Sequence, residues 1–310
     1  LVPEEIFNRR WHMKEGGIAI NPFGDPNDTV RMNPPRNLIE RPAGPTDPEV
    51  HFISLRGTNG RPIALLSNYS LHYVGGIPKE TISADYFGVF AGHIEQALGK
   101  DKNYVAIMSN GTSGDINNIS FRVPRGRMER YQRMNEVAKL VSDRVLETHK
   151  KVTFNKEVTL AMEQTLLTLR NRQPTTKQIA YAKAVLSENP PAPLPRLAEA
   201  YAHRTLGLAN GPRKEEIVLQ TLRIGEVGIC SIPCEVLCEI GLMLKAKSPL
   251  PQATFTIELA NGHNGYLPTP RQHQLSGYET WMGTCTLETT ASVKIQKVLL
   301  EMLETVAKEK

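Results

Sequence analysis

No apolar run in this chain approaches the roughly 20 consecutive residues a membrane helix requires, so no transmembrane helix is expected. A signal-peptide pattern is also missing. The sequence opens on Leu1-Val2-Pro3-Glu4 without an initiating Met, which reads as a fragment or a processed chain. The missing export signal therefore excludes no compartment. Basic tracts are short: the clusters are Arg122-Val-Pro-Arg-Gly-Arg127 and Lys150-Lys151, the formal net charge is +5, and aromatics make up only 6% of the residues. Nucleic-acid binding calls for a basic face interleaved with aromatics, or a known module; neither is found, and no nucleic-acid partner is expected. Internal repeats and low-complexity tracts are absent too.

Cysteine is scarce. The four are Cys230, Cys234, Cys238 and Cys285, with no CxxC pair among them. The i, i+4, i+8 spacing of the first three is a weak metal signal and reads better as small buried residues along one helix face. Nothing demands a disulfide framework.

What is present suits a folded globular chain. At 310 residues, 40% hydrophobic and 22% charged, it can bury a sizeable core and is neither disordered nor fibrous. Residues 1–48, rich in Pro, Asn and Arg without periodicity, read as extended loop. A hairpin follows, with strands 51–55 and 62–68 about Gly57-Thr-Asn-Gly-Arg61. Apolar periodicity then gives a helix over 81–98, a buried strand over 104–108 and a long amphipathic helix over 127–150. Beyond these come a strand at 157–169, a helix at 176–186, a stiff proline connector at 187–196 and a helix at 197–206. The last third reads as a strand pair at 216–232 about Gly225-Glu226, a helix at 235–247, a strand at 252–259, a polar loop at 260–283 and a helix at 290–308. Strands and helices alternate throughout, so the expected fold is α/β: a mixed β-sheet core with flanking helices in a single domain.

Polar residues capable of chemistry gather where strands run out, the usual place for active sites in sheet proteins. Four such places are Asn68-Tyr-Ser-Leu-His72, Ser109 to Ile119 (SNGTSGDINNI), Ser231-Ile-Pro-Cys-Glu235 and the stretch from Glu258 to Tyr266. Each has an ordinary alternative: a hydrogen-bonded histidine, a helix-start glutamate, a packed tyrosine, an Asn-Gly turn. Their shared placement matters because zinc needs N and O ligands brought together from separate segments. His72, Glu235 and Tyr266 would supply them and leave a position for water.

These segments resemble the catalytic domain of the neutral/alkaline non-lysosomal ceramidase family, zinc amidases that cut the N-acyl bond of ceramide. Asn8-Arg9 is similar to the family's Asn-Arg-Ser element, whose arginine lies in the active site. Ile63 to His72 resembles its strand ending in a zinc-binding histidine, and Ile82-Ser-Ala-Asp85 its Ile-Ser-Gly-Asp. Ser109 to Asn117 resembles the Asn-x-Gly-Asp-x-Ser element. Leu222 to Glu235 resembles the strand pair leading to the zinc-binding glutamate, and Asn264-Gly-Tyr266 with Ser276-Gly-Tyr-Glu279 the late loop that carries two site tyrosines. The resemblance implies Zn²⁺ held by His72, Glu235 and Tyr266, and hydrolysis of an amide through metal-bound water. It further implies Arg9 and Tyr278 as oxyanion stabilisers and Asn117 as a substrate-orienting residue, with Asp115 shaping the turn.

Three features depart from the pattern. The family's Thr-His-Thr-His-Ser-Gly-Pro motif, source of its first zinc ligand, has no counterpart, which implies a missing N-terminal part. The C-terminal immunoglobulin-like domain has none either. Asn117 stands where the family has serine, and an asparagine can donate a hydrogen bond but not relay a proton. The implied substrate is a small-molecule or lipid-like N-acyl compound, and the implied location secreted or periplasmic. Alternatives are a ceramidase-like hydrolase of another amide or an ester, or a non-catalytic lipid- or carbohydrate-binding relative.

Overall fold

The computed structural model describes residues 1–250 and 253–309. The strands and helices are, in chain order, β1 (Phe7–Asn8), β2 (Arg10–Met13), β3 (Val30–Met32), β4 (Ile39–Pro42), β5 (Val50–Arg56), β6 (Pro62–Tyr69), α1 (Asp85–Leu98), β7 (Val105–Asn110), β8 (Ile116–Asn117) and α2 (Gln132–His149). The second half supplies β9 (Leu160–Arg170), α3 (Thr176–Val185), α4 (Ala198–Asn210), β10 (Lys214–Ile224), β11 (Val227–Ile232), β12 (Glu235–Val236), α5 (Cys238–Lys247), β13 (Ala253–Glu258), β14 (Tyr266–Leu267), α6 (Pro270–Leu275) and α7 (Ala291–Lys308). The fold is α/β with mixed sheets, as the sequence implies.

Two main sheets share one construction. In the first, β5 and β6 pair antiparallel and β7 joins β6 in parallel; in the second, β9, β10 and β11 run antiparallel and β13 joins β11 in parallel. A parallel neighbour cannot be reached by a tight turn, so each needs a crossover helix, α1 in the first sheet and α5 in the second. One apolar cluster, including Leu65, Tyr69, Phe90 and Ile94, binds α1 and α2 to the first sheet. A second, including Leu219, Ile232, Leu244 and Leu299, binds α5 and α7 to the other. The sheets meet where Asn68 Nδ2 donates to Thr256 O at 3.1 Å and the His51 ring stacks on Phe255. Carboxyl ends of the parallel pairs therefore gather on one side of the molecule.

Several boundaries differ from expectation for physical reasons. Residues 1–48 are not all loop: β2, β3 and β4 form a small antiparallel sheet whose strands of three or four residues are too short to show a period. The helix expected from residue 235 begins at Cys238, because Glu235 and Val236 are pulled into a parallel pair with Tyr266 and Leu267. Cys230 accordingly lies in β11, Cys234 in the turn after it and Cys238 at the start of α5, so the three do not line one helix; all four cysteines are free and buried. The late polar loop contains β14 and α6, the latter started by Thr269, whose hydroxyl accepts from Gln272 N. Of the strand expected over 252–259, Gln252 lies outside the described residues.

Candidate active site

The SNGTSGDINNI stretch works as a bracket between the sheets. Gly111 N donates to Tyr69 O, and Gly114 N to Val236 O, at 2.9 and 2.8 Å. A Cβ on Gly114 would lie 2.8 Å from Glu235 O, so only glycine lets the loop come this close to β12. Asp115 accepts from Cys238 N at 2.8 Å and from Asn8 Nδ2 at 2.7 Å, and its carbonyl accepts from Arg9 N at 2.8 Å. One aspartate thus joins the start of α5 to the segment that carries Arg9. Burial pushes its pKa up to about 6, although the Cys238 and Asn8 hydrogen bonds and Arg10 pull the other way.

Glu258, at the end of β13, is a second joint. Its Oε1 accepts from Asn110 Nδ2 (2.8 Å) and Ser113 Oγ (2.6 Å), its Oε2 from Val236 N (2.7 Å) and Ser113 N (3.2 Å). These contacts tie the ends of β7 and β13 to β12. On the fourth side, the chain past β6 is fixed by Asp85, whose carboxylate accepts from Val74 N and Gly75 N at 2.8 Å each.

The result is convergence of residues that are distant in sequence. Glu235 and Tyr266 are register partners on β12 and β14. His72 Nε2 lies 3.5 Å from Glu235 Oε2. Arg9 Nη2 donates to the Tyr266 hydroxyl at 2.9 Å, and Arg9 Nε to Glu279 Oε1 at 3.0 Å. Glu279 also takes Arg10 Nη1, at 2.5 Å, and is fully buried. Tyr278, half-buried, stands edge-on to Tyr266 with ring centroids 5.7 Å apart. His72, Glu235, Tyr266, Arg9 and Tyr278 are thereby brought together. Asn117 sits beside them but turns inward: its Nδ2 donates to Asn33 Oδ1 at 2.8 Å and its Oδ1 accepts from Ile119 N at 2.9 Å.

Electrostatics follow from this packing. Burial works against ionisation of Glu235, but hydrogen bonds with His72 and Tyr266, then the charge of Arg9, hold its pKa below the ordinary value. Burial drives the Tyr266 phenol well up; Glu235 adds to this and Arg9 opposes it. Burial likewise raises Tyr278. For Arg9, burial disfavours charge, yet Glu279 and Tyr266 outweigh it and keep the guanidinium charged.

The donor set of imidazole nitrogen, carboxylate oxygen and phenol oxygen suits zinc. Two ligands each about 2.0–2.1 Å from a tetrahedral ion lie about 3.3 Å apart, near the 3.5 Å between His72 and Glu235. Among the described residues no three His, Cys, Asp or Glu side chains group as a metal site; this trio contains only two of those types. His72 Nδ1 accepts from Tyr73 N at 2.9 Å, which places the ring proton on Nε2. Ligation through Nε2 would require that proton to sit on Nδ1 instead, giving up the Tyr73 contact. The residues fit the ion in type, and His72 and Glu235 also in spacing, with this adjustment at His72.

Among solved structures, the neutral ceramidase from Pseudomonas aeruginosa superposes with a TM-score of 0.63 at 14% identity, over 96% of this chain and 51% of that one. The chain shares the neutral ceramidase fold. A ceramidase complexed with C2 superposes with a TM-score of 0.64 at 14% identity, over 85% of this chain and 48% of the other. The chain thus spans about half the length of the proteins it matches. No protein-family model matches it, and no curated protein does at the sequence level.

Two groups in this fold's site escape a reading by sequence. Glu279 is 270 positions from Arg9, and nothing local marks it as the partner of two arginines. His263, exposed, places Nε2 3.7 Å from Glu235 Oε1, opposite His72. The only signal for it is its place in the loop between Glu258 and Tyr266.

Proposed function

We propose that the chain carries the catalytic residues of a ceramidase-like hydrolase that cleaves an N-acyl bond, with Zn²⁺ held by His72, Glu235 and Tyr266. The observation that carries this reading is the pairing of Glu235 with Tyr266, His72 on one side and buried Arg9 on the other, within a ceramidase fold. When bound, the ion would lower the pKa of water toward neutrality and polarise a carbonyl. In the overall reaction, oxygen from water joins the acyl carbon, the C–N bond breaks, and the amine leaves with a proton.

The protein's own groups supply charge and position. Two buried guanidiniums, Arg9 and Arg10, share the single carboxylate of Glu279, and Arg9 also donates to Tyr266, which fixes one positive group beside that hydroxyl. Fixed positive charge in a water-poor site favours an oxyanion without any reorganisation at the moment of reaction. Tyr278 offers a neutral phenol as a further donor. Asn117 acts through the loops it ties, since both of its polar side-chain atoms are engaged. A cavity of about 380 Å³ beside Tyr278, walled in part by Ile18, Ile20, Val30, Met32 and Leu197, suits an apolar acyl group.

The test is zinc content by elemental analysis together with release of fatty acid from N-acyl substrates, for the unaltered chain, Glu235→Gln and Tyr266→Phe. Expected is at least a tenfold loss of metal retention and hydrolysis in both variants. Unchanged zinc and turnover in the two variants would refute it.

A further inference from the structure

Tyr278 lines two cavities that differ in their aliphatic side chains. The one described above is the richer, although Asp28, Arg31 and Arg196 also line it. The other, about 480 Å³, contains Glu235, Tyr266 and His263, and its only aliphatic side chains are Leu208 and Pro212. Elsewhere its wall offers Arg204, Glu215, Asn171, Asn264 and Thr286, with four glycines exposing backbone.

A sphingoid chain would find little here. Such a chain gains by burial against continuous aliphatic wall, and this cavity offers only Leu208, Pro212 and two tyrosine rings, interrupted by charged and amide groups. Burying a chain against Arg204, Glu215 and the asparagines would instead strip those groups of water without repayment. What the wall asks for is hydrogen bonds. Asn171 is only 8% exposed, and its side-chain oxygen has no partner among the described residues, while its Nδ2 is taken by Pro212 O. The lining also mixes signs, Arg204 against Glu215, with Glu235 assigned to the ion, so neither a carboxylate nor a strongly cationic group is selected. Hydroxyls, which both donate and accept, match such a surface.

We infer that the amine side of the substrate is a small hydroxyl-rich group of the amino-sugar class and not a sphingoid chain. This inference rests on the hydrolase reading for its chemistry and on the cavity for its specificity. The acyl group takes the more aliphatic cavity, and the sugar sits among Arg204, Glu215 and Asn171.

Two amides with one common acyl group, N-octanoyl-glucosamine and N-octanoyl-sphingosine, test it on the zinc-loaded chain. The glucosamine amide is expected to show kcat/KM at least tenfold higher. Arg204→Leu, a change at an exposed residue, should erase most of that preference. Equal or better turnover of the sphingosine amide overturns the inference while leaving the hydrolase reading intact. If neither amide is cleaved, the hydrolase reading fails and binding decides the specificity. Saturation-transfer NMR with glucosamine and octylamine should then show contact with glucosamine only, lost in Arg204→Leu. Octylamine contact without glucosamine contact, or no contact by either, overturns the inference.

Discussion

Glu258 sets the most demanding test of the packing. It is 4% exposed at the end of β13, and burial raises its pKa from 4.5 to about 8, with Ser113 and Val236 hydrogen bonds opposing the rise and the charge of Glu235 adding to it. The folded state therefore binds this proton more tightly than the unfolded chain does. A group raised in this way contributes stability fully present below about pH 4.5 and lost as the pH climbs through about 8. The full span between the two values corresponds to about 5 kcal/mol. Glu258→Gln keeps the shape and removes the charge. Its new amide can be accommodated because Asn110 now donates to Glu258 and leaves its own Oδ1 without a partner among the described residues. Turning the Asn110 amide over would present that oxygen to the new NH₂. The variant should cost at most about 1 kcal/mol at pH 5. At pH 9 it should be more stable than the unaltered protein by several kcal/mol. Urea unfolding of both proteins at pH 5, 7 and 9 measures the difference. A difference that stays constant across that range, or that favours the unaltered protein at pH 9, would show that the four donors keep Glu258 ionised throughout.

Two further substitutions, and a third as control, probe the frame. Gly114→Ala should destabilise by about 1–3 kcal/mol, because its Cβ would lie 2.8 Å from Glu235 O and 2.9 Å from Val236 C, both backbone atoms. Gly126→Ala, with nothing within 4 Å of the new carbon, should leave the melting temperature unchanged and serves as the control. Glu279→Gln should cost about 3–5 kcal/mol at pH 7, since it leaves Arg9 and Arg10 buried without a carboxylate. Burial opposes the charge of Glu279, but Arg10 and then Arg9 outweigh it and hold the pKa below 4.5. Its stabilisation is therefore present above pH 4.5 and lost as the pH falls through the depressed value, so denaturation midpoints of variant and parent should converge in acid.

Local pattern carried much of the fold. The hairpin of β5 and β6, the long helix α2 and the pair β10 and β11 announce themselves by periodicity and by glycine turns, and the structure places them within a few residues of expectation. What failed had no local signal. β12 reads as the first turn of a helix because Glu235 suits that position, and only pairing with Tyr266, 31 residues later, makes it a strand. The short strands before residue 48 likewise exist only through pairing, β2 with β3 and β4 on either side and β1 with the distant β8.

The site divides along the same line. Its polar residues could be listed from the ends of strands, because crossover connections force the carboxyl ends of β6, β7, β11 and β13 to one side. Their charges could not be listed in that way. With Tyr266 protonated, Arg9, Arg10, Glu279 and Glu235 sum to zero, a balance that joins four segments and appears in none of them. That balance gives Tyr266 its meaning. Burial and Glu235 keep the phenol neutral while the cluster stands alone, and Arg9 already opposes them through a 2.9 Å hydrogen bond. A divalent cation added there would leave the cluster with unmatched charge, and ionising Tyr266 is the nearest means of cancelling part of it. Metal affinity should then rise with pH, and less steeply in Tyr266→Phe, a coupling that a tyrosine serving only as packing would not show.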